Sequence, residues 1–168
     1  MKKNLFKYSC LLVGVVIIIL WIINNWKIAD NIDINSNSFI FQQNGDFNSE
    51  VKATLTGSYN SKRKQFEGKL SINGLTFPNV LFTSGLALTS HDGKETDVLG
   101  IIYFDNKTER YAIELTDEKI YEKLTGKKYN NSPLIISSPA SSIEEANNIH
   151  DDLEMNDMKR RYTNLQIP

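Results

Sequence analysis

The hydrophobic positions of this 168-residue chain follow three different patterns. A stretch without any charged residue comes first and runs from Tyr8 to Ile23. From about residue 50, apolar and polar residues alternate, which is typical of half-buried strands. Near the C-terminus, apolar residues recur at steps of three and four, as they do on one face of a helix. The patterns therefore predict an apolar segment, then a β-rich region and then a helix.

The uncharged segment predicts a membrane-spanning helix. A helix rises about 1.5 Å per residue and needs about 20 residues to cross a hydrocarbon core, a length that residues 8–26 reach. Lysines are frequent in residues 1–7, whereas Lys27 is the only basic residue close behind the segment. This asymmetry predicts a cytoplasmic stub over residues 1–7, a signal anchor in the plasma membrane, and a C-terminal part outside the cell.

Two alternatives to the anchor stay open. A lysine-rich start and the apolar run Leu11–Ile23 also fit a secretory signal peptide, which would be removed. The sequence that follows has no small-x-small cleavage site, because Lys27 stands two positions before Ala29. The second alternative is a buried helix of a soluble protein. The missing cleavage site favours the uncleaved anchor.

The alternating region predicts an outer domain over residues 38–168, held away from the membrane by a polar tether over residues 27–37. The runs Val51–Tyr59 and Phe66–Ile72 alternate apolar and polar residues and predict two strands joined by a hairpin. The run Val98–Phe104 is apolar on both faces. It predicts a central strand that is covered on both sides.

Two helices are predicted in the second half of this domain. Thr116 is a candidate cap for a short helix that ends at Gly126. Ser142 and Glu145 form a capping box, and an apolar stripe follows at Ile143, Ala146, Ile149 and Leu153. The fold class is thus mainly β with some helix (α+β): a curved antiparallel sheet or partly closed barrel of about seven or eight strands, with a short helix and a C-terminal helix packed on it.

The composition offers little catalytic chemistry. One cysteine and two histidines cannot form a four-ligand zinc site without carboxylates, and neither a phosphate-binding glycine motif nor a nucleophile elbow occurs. A net charge of −1 lacks the basic excess of sequence-independent nucleic-acid binding. We therefore expect no catalytic residue, no cofactor, no metal and no nucleic-acid partner, and surface or structural roles for His91 and His150.

Two groups of charged residues are candidate interaction surfaces. The tip of the first hairpin carries Lys62, Arg63 and Lys64, which suit anionic polymers or lipid headgroups. The C-terminal helix carries an acidic group, namely Glu144, Glu145, Asp151 and Asp152. The plainer interpretation of the hairpin tip is a soluble turn. The plainer interpretation of the acidic group is the solvated face of an amphipathic helix.

The segments Gly57–Pro78 and Leu134–Ile149 carry a resemblance to a family. They resemble small, single-pass, membrane-anchored proteins of low-GC Gram-positive bacteria, whose outer domain repeats a G-x-Y…F-x-G-x-(L/I)-x-(I/V)-x-G pattern and closes with a Pro-Ala-Ser-type turn and a helix. The two segments cover about a quarter of the chain. The resemblance implies topology and location and supplies no catalytic residues.

These observations predict a membrane-tethered, extracytoplasmic binding or regulatory module. It contacts the lipid bilayer through residues 8–26 and an unidentified envelope or membrane protein through its outer domain. One alternative is a secreted binding or immunity-type protein, released after signal cleavage. The other is an envelope hydrolase or transferase, which would have to gather carboxylates or His91 into one pocket.

Overall fold

The computed structural model describes residues 14–18, 29–43 and 45–165. Residues 14–18 are helical, whereas the rest of the predicted anchor at 8–26 and the predicted stub at 1–7 lie outside the described residues. None of the helices within these described ranges has the length and the apolar character needed to cross a membrane.

Eight antiparallel strands form a closed barrel in which each strand pairs with the next along the chain. The strands are β1 (Asp30–Gln42), β2 (Asn48–Asn60), β3 (Gln65–Ile72), β4 (Leu75–Thr83), β5 (Leu86–His91), β6 (Thr96–Asp105), β7 (Arg110–Leu115) and β8 (Leu134–Ser138). The predicted mainly β class is confirmed. Closure is complete rather than partial, because β8 also pairs with β1 and places Ile136 opposite Ile40.

The first strand, β1, was not predicted, because the earliest predicted strand is Val51–Tyr59. Residues 30–37, which were assigned to the tether, form the first half of β1 and pair with β2. Their polar residues include Asn31, Asp33 and Asn35, which made the segment look like a linker. Ile32 and Ile34 alternate with them and are buried in the barrel, and this burial holds the segment in the sheet.

Apolar side chains fill the described interior of the barrel. Tyr59, Phe66, Phe82 and Phe104 form an aromatic cluster, in which the rings of Phe66 and Phe82 stack at 4.8 Å between centroids. The cluster lies at the end of the barrel where β1 begins. We call this the proximal end; it includes the loops 61–64, 84–85 and 106–109. The opposite, distal end includes the turns 73–74 and 92–95.

The glycine motif of the first hairpin has a packing role. Gly57 lies opposite Gly68, and Tyr59 lies opposite Phe66, across β2 and β3. A Cβ atom on Gly68 would lie 2.2 Å from the backbone oxygen of Thr56 and 2.7 Å from the Phe66 ring. The two strands and the ring therefore approach each other only because both positions lack side chains.

Both predicted helices are present. Helix α1 (Glu118–Thr125) is capped by Asp117, whose carboxylate accepts from Ile120 N at 2.9 Å. Thr116, the predicted cap, instead donates its backbone N–H to Leu99 O in the sheet. The predicted end at Gly126 is correct, because this glycine adopts the left-handed conformation at φ 69°.

Helix α2 (Ile143–Leu165) packs on the outside of the barrel against β8, β7, β1 and β6. Ala146, Ile149 and Leu153 of the predicted stripe are buried there, whereas Ile143 is exposed. The helix covers Tyr103 of β6. It does not cover Val98, which is 58% exposed, so the predicted burial of this strand on both faces holds only for its proximal half.

Candidate functional site

Basic side chains from three segments meet at the proximal end. Lys64 from the loop 61–64 lines a cleft of about 290 Å³ together with Arg160 and Arg161 of α2. A second cleft of about 410 Å³ shares Arg160 and is lined by Lys107 from the loop 106–109 and by Lys159. We define the basic surface as these side chains and their neighbours at the hairpin tip: Lys62, Arg63, Lys64, Lys107, Lys159, Arg160 and Arg161.

The hairpin tip is held as a defined turn. The side-chain oxygen of Asn60 accepts from Lys62 N at 3.1 Å and from Arg63 N at 3.0 Å. Lys64 follows in the left-handed region at φ 54°. The carboxylate of Asp30 accepts from Ser61 Oγ at 2.8 Å and from Asn106 Nδ2 at 3.0 Å. Asp30 therefore ties the start of β1 to two proximal loops.

A buried carboxylate positions the two arginines of α2. Asp157 is 5% exposed and accepts from Arg160 Nη2 at 3.0 Å and from Arg161 Nε at 2.7 Å. The guanidinium of Arg161 also donates to Gly85 O in the loop 84–85. Because one carboxylate serves two guanidinium groups, this cluster keeps an excess of positive charge.

The other carboxylate in the clefts is held in its charged form. Burial raises the pKa of Asp105, but hydrogen bonds from Thr108 Oγ1 and Lys107 N and the charges of Arg110 and Arg160 outweigh burial and lower it. The field of Arg160 also reaches Tyr59 in the aromatic cluster, where it opposes the rise in pKa that burial causes. The clefts thus combine Asp105 and Asp157 with five cationic side chains.

The sequence identified part of this site. Lys62, Arg63 and Lys64 were predicted as a surface, and all three are exposed at the hairpin tip. Lys107 and the run Lys159–Arg161 were missed. The run was visible as consecutive charges, but it lay in a stretch that had no clear helical pattern.

The predicted acidic group lies apart from the basic surface, on the first half of α2. Its members contact their own neighbours: Glu145 accepts from Ser141 N at 2.8 Å, Asp152 lies 3.7 Å from Arg110, and Asp151 lies 3.3 Å from His150 Nδ1. Glu144, Glu145 and Asp152 also line an open cleft of about 520 Å³. Among the described residues, no group of three or more histidine, cysteine and acidic side chains is arranged to hold a metal ion.

The two histidines lie far apart in the fold. His91 is exposed at the end of β5, next to the distal turn 92–95, and its Nδ1 lies 2.9 Å from Glu95 O. His150 is 5% exposed between α2 and the barrel, and its Nε2 lies 2.8 Å from Glu114 Oε1. Burial lowers the pKa of His150, but hydrogen bonds to Glu114 and Asp151 outweigh it and raise the value. His150 therefore forms a buried contact between α2 and the barrel.

A row of hydroxyl groups crosses the apolar interior. Ser38, Tyr111 and Ser138 lie on adjacent strands and are fully buried, and Ser36 Oγ lies 2.5 Å from Ser138 Oγ. The Tyr111 hydroxyl makes no hydrogen bond of standard geometry with a described residue, although the hydroxyls of Ser38 and Ser138 lie close to it. Burial raises its pKa, and the nearby Ser138 and Ser38 hydroxyls oppose this rise.

Comparisons with protein-family models, with curated proteins and with solved structures find no match for this chain.

Proposed function

We propose that the chain is a membrane-tethered extracytoplasmic module whose barrel binds or regulates a partner in the envelope or membrane. Residues 8–26 anchor it in the plasma membrane, with residues 1–7 in the cytoplasm. The observation that carries this proposal is the position of Asp30: β1 begins at the proximal end, so the apolar segment joins the barrel beside the basic surface.

The connection to the membrane is shorter than the predicted tether over residues 27–37, because β1 already begins at Asp30. Four residue steps separate Trp26 from Asp30, and an extended chain spans about 14 Å at most over that distance. A tether of this length keeps the proximal end next to the bilayer. The barrel then presents its distal end and its outer wall to a partner.

A protease experiment on intact cells tests the proposed topology. The full chain carries an epitope after Pro168, and external protease is added to cells with the wall removed. We expect loss of the epitope and recovery of the remaining chain with the membrane fraction. An intact epitope, or the full chain in the cytosol, would overturn the proposal. A mature chain that lacks its first residues by mass would favour the secreted alternative.

A charged variant tests the anchor itself. Val16→Asp with Ile17→Asp places two charges in the helical part of the apolar segment, each costing about 3 kcal/mol at a membrane centre. We expect the double variant to leave the membrane fraction. The matched control, Leu81→Asp with Val98→Asp, puts the same charges on exposed barrel positions and should stay with the membrane. Equal behaviour of the two variants would contradict an anchoring role.

A further inference from the structure

We propose that the basic surface docks on an anionic lipid headgroup layer, with headgroup phosphates in the two clefts that share Arg160 and with Leu86 at the lipid interface. This inference rests on the proposed function, because the apolar segment brings the proximal end to the bilayer. It adds the lipid class that the proximal end recognises and the orientation of the barrel.

The arrangement of charge supports an anionic partner. Lys64, Lys107 and Arg160 come from three segments that are distant in the sequence, yet they line two adjoining clefts. The acidic groups in these clefts already serve partners within the chain, since Asp157 binds two guanidinium groups and Asp105 accepts two hydrogen bonds. The remaining positive charge faces solvent, where each cation near an anionic membrane contributes on the order of 1 kcal/mol.

An exposed leucine in the same cleft distinguishes a lipid surface from a soluble anion. Leu86 is 51% exposed and lines the cleft with Lys64, Arg160 and Arg161. Tyr162, next to Arg161 on α2, is 68% exposed. Apolar and aromatic side chains beside cations suit the boundary between headgroups and acyl chains. A site for free phosphate would not require exposed apolar or aromatic side chains.

The exposed apolar residue at the distal end has acidic neighbours in sequence. Val98 is as exposed as Leu86, but its neighbour in sequence is Asp97, and the nearby turn carries Asp92 and Glu95 beside Lys94. Val98 therefore provides a matched control position, with an apolar side chain of similar exposure at the other end of the barrel.

Spin labels on the full chain test the orientation. The label is placed by Leu86→Cys or by Val98→Cys, each with Cys10→Ser, and the chain is reconstituted in vesicles of phosphatidylcholine with or without phosphatidylglycerol. Collisions with oxygen and with an aqueous nickel complex report whether each label contacts lipid. We expect the label at Leu86 to contact lipid only when phosphatidylglycerol is present, and the label at Val98 to stay aqueous in both.

Charge variants test the role of the basic surface. One triple variant of the labelled Leu86→Cys chain removes the charges of the hairpin tip by Lys62→Gln, Arg63→Gln and Lys64→Gln. It should lower the ratio of docked to undocked label by about fivefold per charge, or on the order of 100-fold in total. Lys94→Gln with Lys127→Gln and Lys128→Gln removes the same charge at the distal end and should leave the ratio unchanged. Equal effects of the two triple variants would overturn the proposal.

The outcomes separate this inference from the proposed function. A chain that floats with vesicles but keeps an aqueous label at Leu86 in both compositions overturns the docking alone. A chain that floats with neither composition overturns the docking and the anchor together. Immobilisation of the Leu86 label by inorganic phosphate in phosphatidylcholine vesicles would assign the clefts to a soluble anion and overturn the lipid docking.

Discussion

The barrel interior and the interface between α2 and the barrel are stabilised in different ways. The interior is packed with apolar side chains, and every strand has two hydrogen-bonded neighbours. The helix–barrel interface adds charged and polar contacts to a smaller apolar cluster: His150 with Glu114, the Arg161 guanidinium with Gly85 O, and Ser137 Oγ with Ala146 O at 2.7 Å. Asp157 is buried at this interface and pairs with two arginines of its own helix. Because α2 supplies much of the basic surface, the candidate site depends on the more polar of the two regions.

This difference predicts that the largest losses of stability come from the interior. Leu70 is fully buried in β3, and Leu70→Ala should lower the free energy of unfolding by about 2–5 kcal/mol because it leaves a cavity. Leu81→Ala, at a position 41% exposed on the outer face of β4, should cost under about 1 kcal/mol. Urea unfolding of the full chain in neutral detergent measures both. Similar losses would mean that the interior is not the main source of stability.

At the helix–barrel interface, Asp157→Asn should have an intermediate effect. It removes the buried charge that two guanidinium groups share, and since those groups are about half exposed we expect a cost of about 1–2 kcal/mol. Hydrogen exchange should show the loss in α2 and leave β3 protected. Asp152→Asn removes an ion pair between the same helix and Arg110 of β7; because this carboxylate is exposed to solvent, the variant should change little. Faster exchange throughout the barrel would show that helix and barrel unfold together.

The same interface should respond to pH through His150. The pKa of His150 is raised in the folded chain, so protonation stabilises the docked helix. This contribution is fully present below the unfolded value of about 6.5 and is lost as pH rises through the folded value. Hydrogen exchange of α2, compared with β6 at each pH, should show weaker protection of α2 on the alkaline side. Glu114→Gln should weaken this dependence, since Asp151 remains beside His150, and His150→Gln should abolish it. A dependence that survives in His150→Gln would contradict the assignment to His150.

Much of the barrel could be predicted from local patterns, whereas its closure could not. The alternation in β2 and β3 and the apolar stripe of α2 are visible in short windows of sequence. The pairing of Ile40 with Ile136 joins distant parts of the chain, and no local signal marks it. The basic surface has the same property: the tip at Lys62–Lys64 is a local charge cluster, but only the fold brings Arg160 beside Lys64.

Substitutions in the row of buried hydroxyl groups should have the smallest effect on the free energy of unfolding. They also test whether water is bound inside the barrel. The buried Tyr111 hydroxyl makes no hydrogen bond of standard geometry with a described residue, so Tyr111→Phe should be neutral or stabilise the fold by up to about 1 kcal/mol. Ser36→Ala, which removes the partner of Ser138, should instead cost about 1 kcal/mol. Urea unfolding compares the two variants. If Tyr111→Phe costs more than Ser36→Ala, the tyrosine hydroxyl has a hydrogen-bond partner in solution, either the neighbouring Ser138 or Ser38 hydroxyl or a bound water, and the interior is not an unsatisfied dry site.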